Sequence, residues 1–151
     1  MDAQTKKWIW AAFILYCAAM AWLLFGQRLG WDRPGPYTDR LNLRPLETIK
    51  LLWPMLLGQY GPALQRFAIV NLAGNVAVFV PAGLFLPLLW PAMRRWWRFL
   101  LVAVFSIAAI ECLQLVLRLG SCDIDDLLLN VPGAFMGFIA YKLIEKASPS
   151  L

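Results

Sequence analysis

The stretch IECLQLVLRLGSCDIDDLLLN, Ile110 to Asn130, joins the end of one apolar run to the start of the next. Glu111, Gln114 and Arg118 lie on its first half, and Asp123, Asp125 and Asp126 fall within four positions on its second. The chain around it decides the setting. With 61% hydrophobic residues and eight tryptophans in 151 positions, it is too apolar and too aromatic for a soluble domain of this length. The stretch therefore reads as a polar turn between two membrane spans.

Working outward, four runs are long enough to cross a hydrocarbon core, which takes roughly 17 to 25 mostly apolar residues. They are Trp8 to Phe25, Phe67 to Trp90, Phe99 to Leu117 and Leu127 to Ile144. The last contains Pro132, and also Lys142 near its end, where a lysine can snorkel to the interface. Ile49 to Leu57 is too short to span and is broken by Pro54, so it reads as an interfacial or re-entrant helix. The expected architecture is an all-α membrane protein: a four-transmembrane-helix bundle in one domain over residues 1–151, with the short helix between the first two spans. No internal repeat interrupts it, and KASPSL forms a short polar tail.

Lys6 and Lys7 before an apolar run imitate a secretory signal. The run exceeds the usual signal core of roughly 7 to 15 residues, and LLFGQRLG offers no small-x-small cleavage site, so an uncleaved first helix is expected. Orientation follows from cations near helix ends. With the amino terminus inside, Lys6, Lys7, Arg94, Arg95, Arg98, Lys142 and Lys146 lie on the inner side; Arg28, Arg33, Arg40, Arg44, Lys50, Arg66 and Arg118 lie outside. The counts tie. Density breaks the tie, because the inner cations crowd short segments such as RRWWR, whereas most of the outer ones spread along the segment between the first two spans. A multi-pass protein of the cell membrane with both termini cytoplasmic is expected. The net charge of +5 then serves anionic lipid and gives no reason to infer nucleic acid. Cys17 and Cys112 fall within spans and Cys122 in the last outer turn, with no CxxC and no histidine, so small core filler is the favoured reading over redox chemistry.

Spacing then places the polar residues. Glu111 and Gln114 are three apart and Gln114 and Arg118 four apart, which puts all three on one helical face. Asp123 or Asp125 suits the cap of the last helix. Beyond it, Asp126, Asn130, Gly133 and Gly137 make one polar and small face, and Asn71 and Asn75 make a matching face near the outer end of the second span. Pro81 frees a carbonyl there that another helix or a water must satisfy. Polar groups facing lipid are costly, so Asn71, Asn75, Glu111, Gln114, Arg118, Asp126 and Asn130 are expected to meet in one outward-opening cluster. Arg118 is its expected pivot, its planar fork bridging to Asp123 or Asp126 or reaching an anionic head group. Taken singly, each group has a plainer explanation: amides as interhelical glue, GxxxG as a packing face, aspartates as caps. The whole constellation favours a functional pocket.

RLNLRPLETI, NLAGNVAVFVPAG, the acid and glutamine of IECLQ, and the following arginine and GSCDIDDLLLNVPGAFMG together resemble the VanZ-like family of small membrane proteins. The resemblance runs from Arg40 to about Gly137. By motif match it carries over Asn42, Pro45, Asn71, Asn75, Pro81, Gly83, Glu111, Gln114, Arg118, Asp123, Asp126, Asn130 and Gly133. This chain departs from the pattern at Arg44, Leu46 and Pro132. The resemblance implies an association with glycopeptide, and specifically teicoplanin, resistance in bacteria.

Three functions fit these residues. The first is a non-catalytic envelope protein whose ligand-binding residues are Asn71, Asn75, Glu111, Gln114, Arg118, Asp123, Asp126 and Asn130, holding a lipid head group, a lipid-linked cell-wall precursor or a lipoglycopeptide antibiotic. The second is an intramembrane enzyme in which Glu111, Asp123 and Asp126 are the catalytic candidates. No cofactor is expected, although those carboxylates suit a divalent cation, which prefers oxygen ligands. The third is a structural or transport accessory. The oligomeric state stays open.

Overall fold

The computed structural model describes residues 2–26, 36 and 40–147. Arg28, Arg33 and the polar tail beyond Ala147 lie outside the described residues. In chain order the elements are α1 (Ala3–Leu24), β1 (Leu41–Asn42), α2 (Glu47–Leu56), α3 (Pro62–Leu89), a 3-10 turn (Pro91–Arg94), α4 (Trp96–Val116), β2 (Cys122–Asp123) and α5 (Ile124–Ala147). Helices α1, α3, α4 and α5 are each long and apolar enough to cross a membrane, and α2 is the expected short helix, with Pro54 inside it.

The helices start earlier than hydropathy alone places them, because caps and prolines set their first turns. The Asp2 side chain accepts the Thr5 N–H at 2.6 Å, so α1 begins at Ala3 and Lys6 and Lys7 sit inside it rather than before it. Gly61 and Pro62 open α3, proline at the first turn losing no helical hydrogen bond. Asp123 Oδ1 accepts the Asp125 N–H at 2.9 Å, so of the two expected caps for α5 it is Asp123 that serves. At 28 residues α3 is the longest helix. That is about 42 Å at 1.5 Å per residue, against a hydrocarbon core of about 30 Å. Its first turns therefore reach past α5, and α2 packs against α3.

Side-chain pairings give the directions. Trp10 lies 5.1 Å from Trp90 and Phe13 lies 5.8 Å from Phe85, ring centre to ring centre, so α1 and α3 are antiparallel. Gly133 faces Val76 and Gly137 faces Val80, so α3 and α5 run the same way. Arg94 reaches Glu145 at 3.8 Å. The start of α1, the turn at Pro91–Arg94 and the end of α5 accordingly share one end of the bundle. The other end holds α2 and a two-residue parallel pairing, Leu41 with Cys122 and Asn42 with Asp123, which no sequence pattern announces.

The α3–α5 contact is backbone on backbone. A Cβ at Gly133 would strike the Val76 carbonyl, one at Gly137 the Val80 carbonyl, and one at Gly83 the Ala134 carbonyl. Small residues permit this approach, which is how helices associate when lipid removes the hydrophobic incentive. The core beside it is Met20, Phe79, Phe99, Ala103, Ile107, Ala134 and Phe138, with Phe99 and Phe138 stacked at 4.8 Å. Helix α1 contributes only Met20 as a buried residue. It is tied to α3 by the Tyr16 hydroxyl, which donates to the Val78 carbonyl at 3.0 Å, beside the gap that Pro81 leaves in the α3 ladder.

Candidate functional site

Helix α2 begins without a cap of its own. Its N-cap position is Leu46, which has no polar side chain and adopts a left-handed backbone with φ 66°. The free N–H groups of that first turn are met from another element. Asp125, fully buried at 0% exposure, accepts the Leu46 N–H at 2.5 Å through Oδ1 and the Ile49 N–H at 3.0 Å through Oδ2. A carboxylate at the positive end of a helix, held by two backbone donors, is charge-assisted twice over. Asp125 thus caps α2 from the first turn of α5, not α5 itself.

Asp123 completes the junction. Its Oδ1 accepts the Asn42 amide at 3.2 Å and its Oδ2 accepts the Thr48 hydroxyl at 2.5 Å. Asn42 also donates to the Thr48 Oγ1 at 3.2 Å and accepts the Arg44 N–H at 3.2 Å. With β1 paired to β2, these bonds fasten the segment from Leu41 to Ile49 onto the start of α5. One turn further on, Asn75 donates to Asp126, linking α3 to α5.

The other expected site residues distribute as follows. Gln114 is buried and donates at 2.9 Å to the Leu24 carbonyl, answering a carbonyl at the end of α1. Glu111 is buried and borders a cavity of about 170 Å³, with Asp123, Cys112 and Cys122 on its walls. Burial pushes the Cys122 thiol up to about 11, with Cys112 and Glu111 adding to the shift. Asn71 and Asn130 each keep a buried Oδ1 that meets no hydrogen-bond donor among the described residues. Such an atom costs on the order of 1–3 kcal/mol unless water or a ligand supplies the donor. Asn71, Asn75, Glu111, Gln114, Asp126 and Asn130 all lie within the span helices, and of these Asn75 with Asp126, and Gln114 with Leu24, join helix to helix.

Arg118 corrects the expectation. Helix α4 ends at Val116, so the four-residue spacing from Gln114 does not continue to Arg118 on the same face. Arg118 instead takes the left-handed turn after the helix, with φ 59°, and its side chain is exposed. Its carbonyl accepts the Arg40 Nη1 at 3.5 Å. The donors that reach Asp123 and Asp125 from other elements belong to residues 42–49 rather than to a guanidinium. The cysteines need correcting too: Cys17 and Cys112 are exposed and Cys122 is half-buried, so none is core filler.

Sequence reasoning missed Thr48 and buried Arg40 as site residues, and gave Asp125 the wrong helix. The signal for Asp125 was available, since an α2 starting after Leu46 needs an acceptor from elsewhere. Asn42, carried over on the family resemblance, does take part. Above this junction lies an open groove of about 920 Å³, lined by Asn42, Arg44, Glu47, Thr48 and Lys50 among leucines. Arg44 and Glu47 pair across it at 3.7 Å, both exposed. Among the described residues no three acidic or cysteine side chains gather as metal ligands. Asp123, Asp125 and Asp126 turn to separate donors.

The family model described as VanZ/LLP1 matches residues 13–145. A relative named Protein VanZ, from Enterococcus faecium, is 33% identical over 72 residues, which is 48% of this chain and 44% of that protein. The match thus spans less than half of the curated relative. No solved structure matches the chain. Four apolar spans, the glycine-lined contact of α3 with α5 and a family match over nearly the whole chain agree: this is a multi-pass membrane protein, and it belongs to the VanZ/LLP1 family.

Proposed function

We propose that this protein is a non-catalytic component of the bacterial envelope that holds the polar head of a membrane lipid or a lipid-linked cell-wall precursor where α2 meets α5. The observation that carries this reading is the groove at Asn42, Arg44, Thr48 and Lys50, whose floor is fixed by the buried Asp123 and Asp125 junction. Arginine presents a planar fork to phosphate and lysine a mobile charge, so the two together suit an anionic head group. Leu43, Leu51 and Trp53 are exposed beside them and suit the acyl boundary of the leaflet. Of the residues expected from sequence to touch the ligand, Asp123 supports the groove by holding Asn42 and Thr48. A lipoglycopeptide, which brings a polar body and a lipid tail to the same depth, fits the same geometry, and this is how the glycopeptide-resistance association of the family resemblance would arise here.

Native mass spectrometry of the purified protein tests the reading. The wild type should retain an anionic lipid or lipid-linked intermediate beyond its share of the membrane, and the Arg44→Ala, Lys50→Ala double variant should lose it at equal yield. A wild type carrying only bulk phospholipid, or a double variant with the same profile, would overturn it.

A further inference from the structure

Cys112 and Cys122 are ten positions apart and carry no motif, yet the fold sets them together. Cys112 stands on α4 one turn before its end, and Cys122 opens β2 after the left-handed turn at Arg118 doubles the chain back. Both border the cavity of about 170 Å³, and β2 packs against α4, so the two side chains face one small space. Both are free thiols here, Cys112 exposed and Cys122 half-buried.

We propose that Cys112 and Cys122 form a reversible dithiol–disulfide pair that ties the end of α4 to β2. The reaction is exchange with a disulfide donor. The Cys112 thiol loses its proton and its sulfur attacks one sulfur of the donor, forming a mixed disulfide and expelling the first donor thiol. Cys122 then loses its proton and attacks the Cys112 sulfur, closing the protein disulfide and expelling the second donor thiol. Two electrons and two hydrogens pass to the donor. Exposure assigns the order, since Cys112, one turn from the end of α4, is the less covered of the two thiols. Burial raises the Cys122 thiol to about 11, so the ring-closing step, which needs its thiolate, should quicken as pH rises. Closure would fix β2 and with it Asp123, the neighbour that fastens Asn42 and Thr48. The pair lies at the end of the bundle expected to face outward, where disulfides persist. It needs no bound lipid, so it stands or falls apart from the proposed head-group site.

The test uses the full chain in detergent micelles, equilibrated with glutathione from reducing to oxidising ratios, then alkylated and weighed intact. Wild type and Cys17→Ser should lose two alkylatable thiols and the mass of two hydrogens, keep no glutathione, and recover both thiols with dithiothreitol. Cys112→Ser and Cys122→Ser should form no internal disulfide and should retain either a glutathione adduct or a free thiol at the remaining position. A wild type that keeps all its thiols at the oxidising end, holds a stable glutathione adduct at Cys112, or links to a second chain through either cysteine would overturn the proposal.

Discussion

At the scale of the residue, Asp125 has the clearest energetic consequence. It is wholly buried and supplies both oxygens to the first turn of a helix that has no cap of its own. Replacing it by alanine removes two charge-assisted bonds and strands two N–H groups, at a cost on the order of 1.5–3 kcal/mol per lost interaction. Asparagine keeps one acceptor and turns a donor toward the other N–H, so Asp125→Asn should fall between. Hydrogen exchange read across residues 46–49 should quicken strongly in Asp125→Ala and less in Asp125→Asn, while α3 and α5 keep their protection. Equal exchange in all three proteins would show that α2 is held by packing alone. The sequence disclosed the aspartates but not their partners, since a contact between positions 46 and 125 leaves no local period to read. Arg118 misled for a related reason: helical spacing was extended two residues past the end of α4.

At the scale of the element, hydropathy over about twenty residues was sufficient to find the four spans, because lipid forces backbone groups to pair within a helix. It was sufficient for the short helix α2 as well, although Pro54 lies inside that helix without breaking it. The pairing of Leu41 and Asn42 with Cys122 and Asp123 was beyond reach, two residues being too few for any alternation. GxxxG at Gly133 and Gly137 was legible as a packing face, and the structure names its partner as α3. Adding one methyl group there must push the two backbones away from each other, and overpacking of a tight contact costs typically about 1–3 kcal/mol. Gly133→Ala and Gly137→Ala should therefore each lower the thermal midpoint of the detergent-solubilised protein, whereas Gly74→Ala, where a Cβ meets nothing within 4 Å, should leave it unchanged or slightly raised. A Gly137→Ala variant as stable as the wild type would mean that the α3 and α5 backbones do not touch at that position.

At the scale of the whole molecule, the fold sorts the charges in a way that counting cations along the chain could not. Among the described residues, the end that gathers the start of α1, the Pro91–Arg94 turn and the close of α5 carries Lys6, Lys7, Arg94, Arg95, Arg98, Lys142 and Lys146 against Asp2 and Glu145. Described cations at the α2 end, Arg40, Arg44, Lys50, Arg66 and Arg118, share it with Glu47, Glu111 and the three aspartates. An equal number of lysines and arginines thus conceals a strongly positive face opposite a nearly balanced one. Short positive segments are retained on the cytoplasmic side, and the anionic inner leaflet adds about 1 kcal/mol of attraction per cation near its surface. The groove at Asn42 and Lys50 should consequently open outward. In a variant with Cys17, Cys112 and Cys122 replaced by serine, a single cysteine at Gln59, in the exposed turn between α2 and α3, should react with an impermeant maleimide on intact spheroplasts. One at Ala92, in the opposite turn, should react only after lysis. The reverse pattern would invert the protein and place the proposed head-group site on the cytoplasmic leaflet, where no extracellular antibiotic could reach it. Labelling of both positions on intact cells would be incompatible with α3 as a single crossing.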